Sequence, residues 1–144
     1  MREDRNMIVF KTSLGWAGVA VSGQGVCAIV LPKKEKRAVE KELNTAASPL
    51  TPALSRGGRG SERILEKAAK RLRQYFSGER VSFDLSVDMR YHTAFQQAVW
   101  KATAEIPLGE TRSYAWVAKR IGKTGAARAV GQALGANPVP IIIP

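Results

Sequence analysis

Arg128 to Pro144 reads RAVGQALGANPVPIIIP, and the reading of this stretch decides the fold of the second half of the chain. Val130, Ala133 and Leu134 fall on one face by the i, i+3, i+4 rule, so the spacing predicts a helix over Ala127 to Leu134. Arg128, Gly131, Gln132 and Gly135 fall on the other face. An interior glycine weakens a helix by roughly 1 kcal/mol relative to alanine. What it provides is a nearly bare backbone that another molecule can approach closely. Asn137-Pro138 stops the helix, because a residue before proline is pushed out of the α region. Ile141-Ile142-Ile143 is β-branched and predicts a short buried strand. Chain ends usually lie at the surface, so an isoleucine strand running into Pro144 predicts a sequence that stops inside a structural unit.

Working outward, Ser113 is placed to cap a helix over Tyr114 to Ile121, which Gly122 ends. Lys123-Thr124-Gly125 then separates it from the glycine-faced helix, an arrangement of helix, short turn and helix. Thr93-x-x-Gln96 is a capping box, and the helix it opens turns Phe95, Ala98, Val99 and Ala102 inward. Before it, Glu62 to Phe76 has a buried stripe of Ile64, Leu65, Ala68, Leu72, Tyr75 and Phe76 and a wet face of Lys67, Lys70, Arg71 and Arg73. Ser77-Gly78 closes that helix with glycine in the C-terminal cap. Val81 to Val87 alternates as VSFDLSV and predicts a fourth strand.

The first three strands are Met7 to Thr12, Trp16 to Val21 and Val26 to Leu31, with glycines at both turns, and they predict an antiparallel meander. Lys33 to Leu43 reads as a charged helix touching the core through Ala38, Val39 and Leu43. Asn44 to Ser61 (NTAASPLTPALSRGGRGS) has no periodicity and reads as a flexible insertion. The predicted class is therefore α+β. A small antiparallel sheet with helices occupies residues 1–90, and a helical, winged-helix-like unit with a helix-turn-helix occupies residues 91–144.

The net charge of +11 and pI near 10.3 point to a polyanionic partner, because lysines and arginines displace the counterions condensed on phosphates. No stretch is long and apolar enough to span a bilayer. MREDRN lacks the apolar core of a signal peptide. A single cysteine, Cys27, excludes an internal disulfide framework and fits a reducing cytoplasm. Together with His92 it supplies too few ligands for a metal site. In an apolar strand it would be a buried, inert thiol. Among small neighbours Ala126, Ala127 and Gly131, the long cation of Arg128 has nothing to fold against, which favours a DNA contact.

Three motifs carry a resemblance. ARAVGxAxxxNPxxIIIP at Ala127 to Pro144, TxFQxxVW at Thr93 to Trp100 and LxxYFxGxRxxFDL at Leu72 to Leu85 resemble the methylated-DNA–protein-cysteine methyltransferases, or alkylguanine-DNA alkyltransferases. His92 stands where that family commonly has glycine. In the family Cys-His-Arg follows the last motif and the cysteine accepts the alkyl group; here the sequence stops at Pro144. The resemblance implies repair of double-stranded DNA containing alkylated guanine, by a monomer without cofactor or metal. It implies that Arg128, with Ala126, Ala127, Gly131 and Gln132 around it, enters the base stack through the minor groove. It implies that Tyr114 contacts the target nucleotide and protonates the leaving guanine. Asn137 would tie the recognition helix to the active-site strand, and Val139 and Pro140 would wall the pocket. A relative carrying tryptophan in place of the cysteine would instead be a non-enzymatic damage binder. An unrelated helix-turn-helix regulator is the other class, disfavoured by the minor-groove character of the helix.

Overall fold

A computed structural model describes residues 6–47, 59–107 and 109–143. Three strands, β1 (Met7–Thr12), β2 (Gly15–Ser22) and β3 (Gly25–Lys33), form an antiparallel sheet in the order β1-β2-β3. β2 is buried from Ala17 to Ser22 on both faces, which explains its run of small and apolar residues. Helix α1 (Lys36–Ala47) sets Val39 and Leu43, one turn apart, against Ala20, Ala28 and Val30. Burying each of those two side chains is worth about 1.5–3 kcal/mol. Helix α2 (Arg59–Phe76) packs on the same strands. Arg73 stands over the ring of Phe10, and Ser13 donates its hydroxyl proton to the carbonyl of Phe76. Phe10 alternates with Val9 along β1, so α1 and α2 take opposite faces of the sheet.

Helix α2 ends in a Schellman motif. Gly78, at φ 92°, donates to the carbonyl of Tyr75, and the Glu79 N–H reaches back to the carbonyl of Gln74. The segment after it corrects the expectation of a fourth strand. Val81 to Val87 does alternate half-buried and exposed, but among the described residues it joins the sheet through a single parallel bridge, Val26 with Val87. Val26 donates to Ser86 and accepts from Asp88, and the hydroxyl of Ser22 donates to the Asp88 carboxylate at 2.6 Å. Gly25 permits this approach, since a Cβ there would collide with the Ser86 carbonyl. The alternation reports one wet side; a ladder needs a neighbour along the whole edge.

Other boundaries move for equally local reasons. α1 begins at Lys36 rather than Lys33, because Lys33 still pairs with Trp16 in the sheet. Ala38 is exposed, and the helix runs on to Ala47. Of the expected insertion Asn44 to Ser61, the first four residues thus belong to α1 and the last three open α2, with Ser61 fully buried. Its centre, 48–58, lies outside the described residues. Tyr75 is exposed rather than part of the α2 stripe, and its ring meets the edges of Phe76 and Phe83.

The described residues fall into two compact units, the first ending at Asp88 and the second beginning at Met89. The second unit holds α3 (Ala94–Ala104), α4 (Tyr114–Arg120) and α5 (Ala127–Gly135), packed against one another. Residues 121–126 join α4 to α5, a longer turn than expected, with Gly122 and Gly125 both at positive φ. The predicted isoleucine strand is not formed. Ile141 sits at φ 79°, a turn conformation that β-branched residues rarely adopt, and only Ile143 is buried. Among the described residues of this unit the sole strand-like pairing is one bridge, Pro140 with Ile143.

Candidate nucleic-acid interface

The second unit is assembled from helix starts that its own sequence caps. Thr93 and Gln96 satisfy each other's backbone N–H groups at the start of α3. Ser113 accepts from the N–H of Trp116 at the start of α4. α5 is different. Its N-cap is Ala126, which offers no side-chain hydrogen bond. The N–H groups of its first turn thus lack a side-chain acceptor, and the positive end of the helix dipole favours an anion there.

Arg128, in that first turn, is exposed, as is Gln132 one turn on; Ala126 and Ala127 are half-buried. Tyr114 is 54% exposed although it opens α4. Its ring lies on α5: a Cβ at Gly131 would stand 3.0 Å from Tyr114 Cε2 and 3.3 Å from Cδ2. Gly131 is therefore partly covered by Tyr114, whereas Gly135 has open space where a side chain would be. Arg128, Tyr114 and the two glycines form one surface built from two helices.

α5 is held from behind by a residue the spacing rule missed. Trp100 is fully buried, and its indole N–H donates to the Ala133 carbonyl at 2.8 Å. The His92 ring packs against the same indole near a right angle, the ring centroids 4.9 Å apart. Trp100 lies off the Phe95–Ala98–Val99–Ala102 stripe, so periodicity passes over it. The available signal was chemical: tryptophan is rarely left in water, and its N–H needs an acceptor when buried.

Past α5, Asn137 bridges two backbone groups. Its amide donates to the Ile143 carbonyl at 2.7 Å, and its Oδ1 accepts from the Val139 N–H at 2.9 Å. Val139 is fully buried and Pro140 half-buried. Cys27 belongs to the first unit, in β3, 1% exposed, with its thiol directed to the Gly25 carbonyl at 3.7 Å. No helix among the described residues is long and apolar enough to cross a membrane.

Fold and site together define a class: an α+β unit followed by a helical unit that displays an arginine and a tyrosine beside a glycine-bearing helix. Residues 7–89 match the family described as 6-O-methylguanine DNA methyltransferase, ribonuclease-like domain. Residues 94–144 match 6-O-methylguanine DNA methyltransferase, DNA binding domain. The chain belongs to the 6-O-methylguanine DNA methyltransferase family.

Among similar curated proteins, the methylated-DNA–protein-cysteine methyltransferase of Mycobacterium tuberculosis is 56% identical over 77 residues, 54% of this chain and 46% of that protein. The constitutive enzyme of that name from Bacillus subtilis is 48% identical over 80 residues, 56% of this chain and 48% of its own length. The chain spans about half the length of these relatives. Of the solved structures, Mycobacterium tuberculosis OGT in complex with DNA matches with a TM-score of 0.66 and 32% identity, over 96% of this chain and 74% of that one. The O6-methylguanine methyltransferase of the same organism matches with a TM-score of 0.63 and 34% identity, over 94% and 73%.

Proposed function

We propose that the chain serves direct repair of alkylated DNA, in which a methyl or alkyl group moves from the 6-oxygen of guanine to a cysteine of the protein in a single turnover. The observation that carries this reading is the match of both halves to one family. In this reading residues 1–90 form the N-terminal domain, and residues 91–144 belong to the DNA-binding, alkyl-transferring domain. The partner is duplex DNA containing an alkylated guanine, met in the cytoplasm, and no cofactor is needed.

The surface of the second unit supports a minor-groove approach. Small residues at Ala126, Ala127 and Gly135 let the backbone of α5 come close, and Arg128 is long enough to fill the place of an extruded base. Extrusion is required because the reactive carbon on a paired guanine is out of reach inside the duplex. Tyr114, exposed at the head of α4, contacts the extruded nucleotide and gives up its proton. In the transfer a thiolate sulfur bonds the alkyl carbon, the carbon–oxygen bond breaks, and its electron pair stays with guanine, which takes the proton. Asn137 holds the backbone of residues 139–143 beside α5, with Val139 and Pro140 next to the pocket for the base.

Residues 1–144 contain one cysteine, Cys27, and a thiol buried in β3 does not meet DNA. These 144 residues are thus expected to bind DNA without accepting the alkyl group. The test is an oligonucleotide carrying a labelled methyl on guanine. Label should remain on the DNA with residues 1–144 and move to protein once the family's Cys-His-Arg segment follows Pro144. Label on residues 1–144 alone, or none with the extended chain, would overturn the reading.

A further inference from the structure

More than half of the positive excess lies outside the DNA-binding unit. Residues 1–88 carry 16 of the 23 basic side chains against 10 of the 12 carboxylates, a net of +6 of the +11. Within that unit the charge is uneven. α1 has three cations and two carboxylates in its sequence, and one of the three, Lys36, pairs with Glu40 and stands over the Trp16 ring. α2 has six cations and two carboxylates.

The α2 cations are also aligned. Leu65, Ala68, Ala69, Leu72 and Phe76 are buried against the sheet, so Arg63, Lys67 and Lys70 run down the opposite side, all exposed. They line one shallow cleft with Arg71 and Glu66. At 1.5 Å of rise per residue the ridge is roughly 10 Å long, which on duplex DNA faces several phosphates at one charge per about 1.7 Å of axis. Its counter-charge is incomplete. Asp84 reaches Lys67 at 3.1 Å and Arg71 at 4.0 Å, while among the described residues Arg63 and Lys70 form no ion pair.

We propose that the Arg63–Lys67–Lys70 ridge of α2 is a second contact for the phosphate backbone of duplex DNA, separate from the α5 surface. The proposal rests on the DNA-repair reading above. Exposed lysines and an arginine without aromatic partners read no bases, so the contact is independent of sequence and of the lesion. It raises affinity for any duplex and keeps the protein on DNA while α5 searches for a damaged base. Asp84 tempers the ridge by occupying Lys67 and, more distantly, Arg71.

Salt-dependent binding of the protein to a fluorescent duplex tests it. Arg63→Gln/Lys67→Gln/Lys70→Gln should lower the slope of log affinity against log salt by about 2–3, at roughly 0.9 per lost phosphate contact. The ratio of affinities for alkylated and unmodified duplex should not change. Asp84→Asn should move affinity the other way, tightening binding. A charge-matched control, Lys34→Gln/Arg37→Gln/Lys41→Gln, should change the slope by less than about 1; these positions are also exposed. Unchanged melting temperatures would show that all variants fold. Equal slopes for the two triple variants would overturn the ridge, since bulk charge would then explain both. If Arg128→Ala weakens binding while the α2 triple does not, the ridge falls and the DNA-repair reading stands. If neither does, the DNA reading itself falls.

Discussion

The ring of Tyr114 lies across the backbone of Gly131, close enough that a methyl group at position 131 would touch it at 3.0 Å. Two residues of the candidate interface are therefore coupled before any DNA arrives. The glycine is a seat for the tyrosine, and the tyrosine takes up part of the bare surface that the glycine was expected to offer. Tyr114 is otherwise 54% exposed, so this contact is a main constraint on where its hydroxyl points.

Gly131→Ala should separate stability from function. Alanine is the better helix former by roughly 1 kcal/mol, so the melting temperature should hold or rise. The Tyr114 ring must shift, and base extrusion in alkylated duplex, read with a fluorescent base analogue, should fall several-fold. In a Tyr114→Ala background the same substitution should have little further effect. An equal loss in both backgrounds would show that Gly131 acts by meeting DNA directly.

Arg128→Ala should weaken duplex binding and reduce extrusion, whereas Lys41→Ala on α1 should leave both nearly unchanged. Arg128 is exposed in the uncapped first turn of α5, so its removal should not unfold the helix. Similar responses from the two variants, with unchanged circular dichroism, would move the DNA surface away from α5.

Trp100→Phe should be costly although no ligand touches the site. It removes one of two donors to the Ala133 carbonyl, which keeps the Ala136 N–H at 3.2 Å, a loss of about 0.5–1.5 kcal/mol, and leaves unfilled volume besides. Urea unfolding followed in the second unit should show a loss of about 1–3 kcal/mol. A change below about 0.5 kcal/mol would mean that the Ala136 N–H alone satisfies the carbonyl and the core repacks around phenylalanine.

The carboxyl of Asp84 is held below its ordinary value, first by the hydrogen bond from Lys67 and then by its own backbone and the Lys67 charge. A carboxylate with a lowered folded pKa adds stability above its unfolded value, and that stability is lost as pH falls through the folded one. Asp84→Asn should thus lower stability slightly at neutral pH, by little because an exposed pair is well screened, and converge with the parent at acid pH, so that the acid limb flattens by that same small amount. Comparing melting temperatures at pH 3 and pH 7 checks this. An unchanged acid limb would show that the pair does not tie the 79–87 segment to α2.

The features legible in the sequence are those whose partners lie within a few residues. The Thr93–Gln96 box, the Ser113 cap and the Gly78 cap appear where their patterns predict them, because each satisfies backbone groups of the adjacent turn. The three-strand meander follows from short apolar runs and glycine turns, which are equally local. Tertiary structure decided what depends on a distant neighbour. Val81 to Val87 has the pattern of a strand, but among the described residues Val26 alone offers it a bridge. Ile141 to Ile143 has the composition of a strand, but the Asn137 amide draws the Ile143 carbonyl back into a turn. Trp100 finds its acceptor 33 residues away, and Gly131 finds Tyr114 on another helix. Periodicity records which side of an element is dry; which atoms fill that side depends on how the chain packs, since pairing and close contact are properties of two segments and not of one.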